Sequence, residues 1–351
     1  MSLFIYLFVV VLLLGILYAK FRDPEPTLYA AVLGAVIALA GYYVPLAVSA
    51  NDTELISGAV VKKQRVYDAE IETYICGHDS HGNAKYCTRE IPRWRWDVIS
   101  NIGDSYSDYT YNKNREPEIY AATHIGDPYS DTRTFKNYQR VSSQTVKFNR
   151  ELEYKGWLPP YPAIYGGFKV ARAFSLVDSV DQRELSKALS IAHRSWGPSY
   201  GVNAIVVILN SGTDIASFKE ALYTKWQGGK KNDAVLILKL DNENKVDDVR
   251  VFGRSSDNAT DEKGRSFTQR LLEESKALGE YSPEKVVNVL NGALPLFYRE
   301  DLRKYDFLEA EYAPPLWLDI LIVALIVIGM TLTVNNMSDR YRLFSRRRAY
   351  W

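Results

Sequence analysis

Residues 201–240 read GVNAIVVILN SGTDIASFKE ALYTKWQGGK KNDAVLILKL, and this stretch decides the fold of the larger part of the chain. Val202 to Leu209 is an unbroken apolar run of strand length with no turn residue inside it, the pattern of a strand buried on both faces. Asp214 stands in N-cap position ahead of Ile215, Phe218, Leu222 and Trp226, which recur at helical spacing on one face. Asp233 to Leu240 is a second buried strand. Strand, helix and strand with short links predict a crossover unit with the two strands parallel.

Working outward, Asp181 with Glu184 suggests a capping box, and Leu185, Ala188, Leu189, Ala192 and Trp196 form one apolar helical face that Gly197-Pro198 is expected to stop. Downstream, the turn Asp241 to Lys245 leads to a third strand, Val246 to Gly253, joined closely enough to pair antiparallel with the second. Thr260 is expected to open a helix ending at Gly279, with Asp261 and Glu262 in its first turn. Ser282-Pro283-Glu284 opens the next. The expected architecture is an α/β/α sandwich over residues 170–307.

Upstream, Ala59 to Val66, Ala69 to Cys76 and Arg93 to Ile99 read as strands. Trp94, Trp96 and Val98 alternate with Arg93, Arg95 and Asp97, as on a half-buried strand. Residues 106–138, rich in Tyr, Asp, Asn and Ser, are expected to be long ordered loops with short strands. The prolines of Trp157 to Pro162 break regular structure and point to a boundary near 160–170. A β-rich domain over 49–165 follows. Cys76 and Cys87 bracket a turn that also holds His78 and His81. Zinc sites space each ligand pair by two to four residues with a longer insert, so a disulfide is favoured over zinc or free thiols.

The 351 residues carry 43 Lys+Arg against 42 Asp+Glu and 47% hydrophobic residues. These averages exclude collagen-like, disulfide-dense and disordered classes, and a balanced charge offers no basic surface for nucleic acid. They also conceal three apolar runs: Ser2 to Ala19 and Leu28 to Val48, within residues 1–48, and Pro315 to Val334 with the single acid Asp319. Each approaches the roughly 20 residues that span a bilayer. Lys20 and Arg22 lie between the first two, and Arg340, Arg342, Arg346, Arg347 and Arg348 lie in the tail 335–351. The positive-inside rule puts both segments in the cytoplasm, with the N-terminus and residues 49–314 outside. Without the tail, the short loop and Asp319, 36 basic and 38 acidic residues remain outside. A cleaved signal peptide, with Val48-Ser49-Ala50 as cleavage site, is disfavoured because two full spans precede it. Gly34, Ala38 and Gly41 offer a small-residue surface for close helix contact. The fold class is thus an α+β membrane protein with three transmembrane helices.

The run Leu222 to Leu238, in which a helix ending at Trp226 leads through Gly229, Lys230, Asn232 and Asp233 into an apolar strand, resembles the core of TPM domains. The strand Val249 to Gly253 and Thr260-Asp261 after it fit the same order, over about 178–303. The resemblance implies a TPM-like α/β/α domain, whose members include thylakoid acid phosphatase and calcium-binding branches. Asp233 and Asp261 match the positions that would ligate calcium there. This chain departs from the family at Val251-Phe252-Gly253-Arg254-Ser255, which keeps one glycine of a paired-glycine loop. Trp96 to Gly103 and Phe135 to Tyr138 are similar to membrane proteins of large tailed bacteriophages, implying the inner membrane of a bacterium with a periplasmic ectodomain.

Gly228-Gly229-Lys230-Lys231 follows a helix and precedes a strand, the reverse of a phosphate loop. His193 is expected to be a partly exposed helix residue, and no triad or zinc-protease motif occurs. The expected role is an extracytoplasmic interaction or assembly module bound to the bilayer. Its partner would be another envelope membrane protein or a second copy of itself, with no cofactor. The alternative is a metal-dependent phosphatase-like enzyme using Asp233 and Asp261.

Overall fold

Uncharged apolar runs satisfy their backbone polar groups internally as helices, whereas alternating and short apolar runs pair as strands. The computed structural model describes residues 2–21, 24–140, 156–255, 259–312 and 314–348. Its elements begin with α1 (Ser2–Phe21), α2 (Pro24–Ala50), β1 (Asn51–Tyr67), β2 (Glu70–His78), β3 (Ala84–Ile91), β4 (Trp94–Ser100) and β5 (Ser105–Thr110). There follow α3 (Glu118–Ala122), β6 (Pro128–Lys136), β7 (Ile164–Tyr165), β8 (Lys169–Val170), β9 (Ala173–Ser175), α4 (Gln182–Tyr200) and β10 (Asn203–Leu209). The last are α5 (Ile215–Lys225), β11 (Asp233–Leu240), β12 (Val246–Gly253), α6 (Phe267–Lys276), α7 (Pro283–Ala293) and α8 (Leu316–Arg348). The chain divides into two compact units, Met1–Asp52 with Thr134–Phe148 and Asp301–Trp351, and Thr53–Arg133 with Asn149–Glu300.

In the first unit, α2 over Thr27–Ala50 and α8 over Leu316–Met337 are long and apolar enough to cross a membrane, and the apolar part of α1, Leu3–Tyr18, is shorter. The three helices share one apolar cluster that includes Tyr6, Val10, Ala38, Tyr42, Ile322 and Met330. Small residues of α2 allow this contact: a Cβ at Gly34 would lie 2.6 Å from the Met330 sulfur, and one at Gly41 2.8 Å from Ile322. Asp319 does not stand alone in α8, because the Tyr6 hydroxyl donates to its carboxylate. The tail expected after residue 334 continues as helix to Arg348. Arg22 lies outside the described residues, as do the side chains of Lys20, Arg340, Arg342, Arg346, Arg347 and Arg348.

The second unit contains two principal sheets. The first has the order β5-β4-β1-β6, with β1–β4 and β4–β5 antiparallel. Its core gathers Val60, Trp96, Val98, Tyr120, Tyr129 and Phe168. The stretch 106–138 is more regular than expected. In β5 exposure alternates residue by residue, so Tyr106 supplies the half-buried face that aliphatic residues would supply elsewhere. Hydroxyl-bearing rings read as polar in composition yet pack as apolar surface.

The second sheet has the order β12-β11-β10-β9, with β9, β10 and β11 parallel and β12 antiparallel to β11. Ala204, Val206 and Ile208 of β10 pack with Leu189 of α4, Leu271 of α6 and Leu290 of α7, while Ile205, Val207 and Leu209 pack with Phe218 and Leu222 of α5. Helices therefore cover both faces, which is why β10 and β11 show no polar alternation. β9 pairs through only three residues and leaves no period to read.

Two helix boundaries correct the sequence reading. α4 passes through Gly197-Pro198 and ends at Tyr200, with Gly201 in the left-handed conformation as its C-cap. Gly197 is there for proximity: a Cβ on it would lie 1.6 Å from the Ser57 carbonyl oxygen. Pro198 cannot donate to the carbonyl four residues back, Arg194, and the Asn101 side-chain amide donates to that oxygen instead at 3.4 Å. α6 begins not at Thr260 but after Ser266, whose hydroxyl and the Gln269 side chain form a complete capping box.

Candidate functional site

α5 is capped by Asp214 and has as its C-cap Trp226, whose indole N–H donates to the Pro159 carbonyl at 3.2 Å. Three consecutive residues with positive φ, Gln227, Gly228 and Gly229, then reverse the chain. The turn delivers the Lys230 backbone N–H to the Asp233 carboxylate at 2.6 Å. The motif residues Trp226, Gly229, Lys230, Asn232 and Asp233 thus build a tight entry into β11. The Asn232 side chain donates to the Leu55 carbonyl of β1 at 2.6 Å, and Glu54 beside it pairs with Lys231 at 3.2 Å and Arg299 at 2.6 Å. These contacts fasten the β-rich and α/β parts of the second unit to each other.

Asp233 is fully buried and also accepts from Asn203 Nδ2 at 2.8 Å and the Tyr161 hydroxyl at 2.9 Å. Burial pushes its carboxyl up to about 6, although the Lys230 N–H, Asn203 and Tyr161 oppose the shift. Asn203 Oδ1 in turn accepts from Arg172 Nε at 2.9 Å, so one amide links the acid to a buried guanidinium. Arg172 is 1% exposed, and one of its Nη groups donates to the hydroxyls of Ser57 and Ser130. Burial lowers its pKa to about 10, which leaves it cationic at neutral pH.

His193 differs from its expected exposure: it is 1% exposed in the same region. Its Nε2 accepts the Ala204 N–H at 2.9 Å, so Nδ1 carries the proton given to the Leu189 carbonyl at 2.7 Å. Burial, with the nearby Arg172 charge, holds it neutral. Both ring nitrogens serve the backbone.

Asp261 lies elsewhere, in the turn before α6. Its carboxylate accepts the Lys263 and Arg265 backbone N–H groups, each at 2.9 Å, and pairs with the Arg265 guanidinium at 2.7 Å. The Arg265 N–H, with its side chain, holds the Asp261 carboxyl below its ordinary value. Thr260 bridges to Ser266 beside it. Asp233 and Asp261 share no hydrogen-bond partner, and the described residues hold no group of three or more His, Cys, Asp or Glu placed to bind a metal. Calcium needs about six to eight oxygens, and these two carboxylates, each committed to N–H and O–H donors, do not fit that demand.

Cys76 and Cys87 are joined in a disulfide with Cα atoms 5.6 Å apart, so neither thiol is left for the zinc arrangement weighed with His78 and His81. The bond staples the β2–β3 hairpin, a two-stranded sheet of its own. The pairs Ile71 with Glu90, Thr73 with Thr88 and Ile75 with Tyr86 put Ile71, Ile75 and Tyr86 on one face. On the other, Glu72 pairs with Arg89 at 2.6 Å. Ile71, Ile75 and Tyr86 are 73%, 56% and 66% exposed.

Of the residues linked to Asp233, Arg172 gives the weakest sequence signal, a lone cation between Val170 and Phe174 in an apolar run. Comparison with protein-family models, curated proteins and solved structures finds no match to this chain.

Proposed function

We propose that this chain is a membrane-anchored module whose extracytoplasmic part binds another envelope membrane protein through the β2–β3 hairpin. One observation carries the reading: a disulfide-stapled ribbon presents Ile71, Ile75 and Tyr86 on an exposed face outside the apolar clusters of the described residues. Apolar surface on a rigid ribbon is what a partner buries, and a cross-link that limits motion before binding lowers the ordering cost. In this reading α1 joins α2 and α8 as a third span, Lys20, Arg22 and the arginines after residue 339 face the cytoplasm, and the disulfide belongs to an oxidising periplasm. A TPM-like origin of the α/β part and a bacteriophage source belong to the same proposal.

The test places a photo-crosslinking residue at Tyr86, and as a control at Glu243, a turn residue whose side chain is 72% exposed, in the full chain in its native membrane. A discrete adduct from position 86 alone, lost in Ile71→Asp/Ile75→Asp, is expected. Mass spectrometry then names the partner, or a second copy of the chain. No adduct from position 86, or equal adducts from both positions, overturns the proposal.

A further inference from the structure

The second unit holds a cavity of about 580 Å³ between α3, the β7–β8 turn and the N-terminal half of α4. That volume lies in the range of small-molecule sites. Its wall has two chemistries. Ile119, Phe168 and Val170 supply an apolar side, while Lys169, Arg172, Arg183 and Lys187 supply four cations against one carboxylate, Asp127. Asp127 is itself occupied, accepting the His124 backbone N–H at 2.7 Å.

Arg172 gives the cavity its direction. The side chain is 1% exposed, and its acceptors, Asn203 Oδ1 and the hydroxyls of Ser57 and Ser130, are all neutral. Among the described residues no carboxylate pairs with it directly, and the Asp233 carboxylate acts on it through Asn203. A guanidinium has five N–H donors; three are used here, by Nε and one Nη, and the two on the other Nη have no acceptor among the described residues. A buried charge whose direct partners are all neutral is costly, Asp233 reaches it only through Asn203, and an anion on its open side offsets that cost. Guanidinium geometry matches the paired oxygens of a phosphate, and the Ser186 hydroxyl on the same wall, which accepts the Arg172 backbone N–H at 3.3 Å, keeps its own proton to donate.

We infer that this cavity is a binding site for a phosphate monoester attached to an apolar body. The phosphate sits against Arg172, Arg183 and Lys187, and the apolar body lies along Ile119, Phe168 and Val170. The site is separate from the hairpin face and stands or falls independently of the partner proposed for it.

The probe is phenyl phosphate, titrated calorimetrically into the detergent-solubilised full chain, with benzyl alcohol as a neutral body and inorganic phosphate as a bare anion. Saturable phenyl phosphate binding is expected, at least tenfold tighter than either fragment. Arg183→Ala/Lys187→Ala, whose side chains are at the mouth and leave the fold intact, is expected to weaken binding about tenfold. Arg172→Met, checked for native circular dichroism, is expected to weaken it further. If Arg172→Met does not fold, the mouth double variant alone decides. Lysophosphatidate in nanodiscs that displaces phenyl phosphate identifies a lipid headgroup as the source of the phosphate, and failure to displace it identifies a soluble monoester. Equal affinity for phenyl phosphate and benzyl alcohol, or unchanged affinity in the mouth double variant, overturns the assignment.

Discussion

Replacing Gly197 by Ala tests how the two parts of the second unit are joined. In an ordinary helix interior the change favours folding by about 1 kcal/mol, because glycine has more backbone freedom to lose. Here the new Cβ would meet the Ser57 carbonyl oxygen at 1.6 Å. A tolerable carbon–oxygen approach is roughly 3.3 Å, so α4 and β1 would have to separate by about 1.7 Å. That retreat withdraws Ser57 from the Arg172 guanidinium, a charge-assisted bond worth about 1.5–3 kcal/mol, and adds about 1–3 kcal/mol of overpacking. Subtracting the helix gain leaves a net loss of about 1.5–5 kcal/mol. For a unit of this size that lowers the melting temperature by about 6–13 °C at the middle of the range. Thermal unfolding of the detergent-solubilised chain by near-ultraviolet circular dichroism measures it. Gly292→Ala in α7 is the matched control, because its Cβ meets nothing nearer than 3.4 Å and that variant is expected to hold or gain stability. A Gly197→Ala protein as stable as Gly292→Ala would refute the close-approach argument.

Asp233 makes stability depend on pH in the direction opposite to an ordinary ion-paired acid. Its folded pKa of about 6 exceeds the unfolded 3.8, so its burial is costless below about pH 4 and penalises folding as pH rises through 6, by about 3 kcal/mol in all. The stability difference between wild type and Asp233→Asn, from urea unfolding, is expected to move toward the wild type by most of that amount between pH 7 and pH 4; a difference that stays flat contradicts the shift. Cys76→Ser/Cys87→Ser removes a link across 11 residues, worth about 3 kcal/mol in a chain-entropy account. Because the hairpin lies outside the apolar clusters, faster amide exchange is expected over 70–91 with the main melting transition unchanged; a fall of the main transition would show that the ribbon supports the core.

What was legible was local and periodic. Val202 to Leu209, Asp233 to Leu240, the caps Asp214 and Ser282, and the antiparallel return of β12 follow from residues within a few positions of one another. The errors arose where a distant partner decides. Gly197-Pro198 carries a stop signal by composition, but Ser57 of β1 supplies the reason for the glycine and Asn101, just after β4, the donor that tolerates the proline. Thr260-Asp261 has the form of a helix start, yet Arg265 captures the carboxylate and leaves Ser266 with its matching Gln269 to begin α6. At the candidate site, Asp233 stood out because it belongs to a motif. Arg172 did not, since its importance comes from Ser57, Ser130 and Asn203, three residues from separate strands.

The bond from Asn232 to the Leu55 carbonyl spans 177 positions. A ribosome adding about 5–20 residues per second needs roughly 10–35 s to supply the second partner after the first has emerged. Throughout that interval β1 is made but lacks α4 against Ser57 and the β11 entry against Leu55. Such distant pairing slows folding and leaves strand edges available to wrong partners. The β-rich part is therefore an incomplete folding unit, and its native order arrives only when α4 and the turn after α5 have been synthesised.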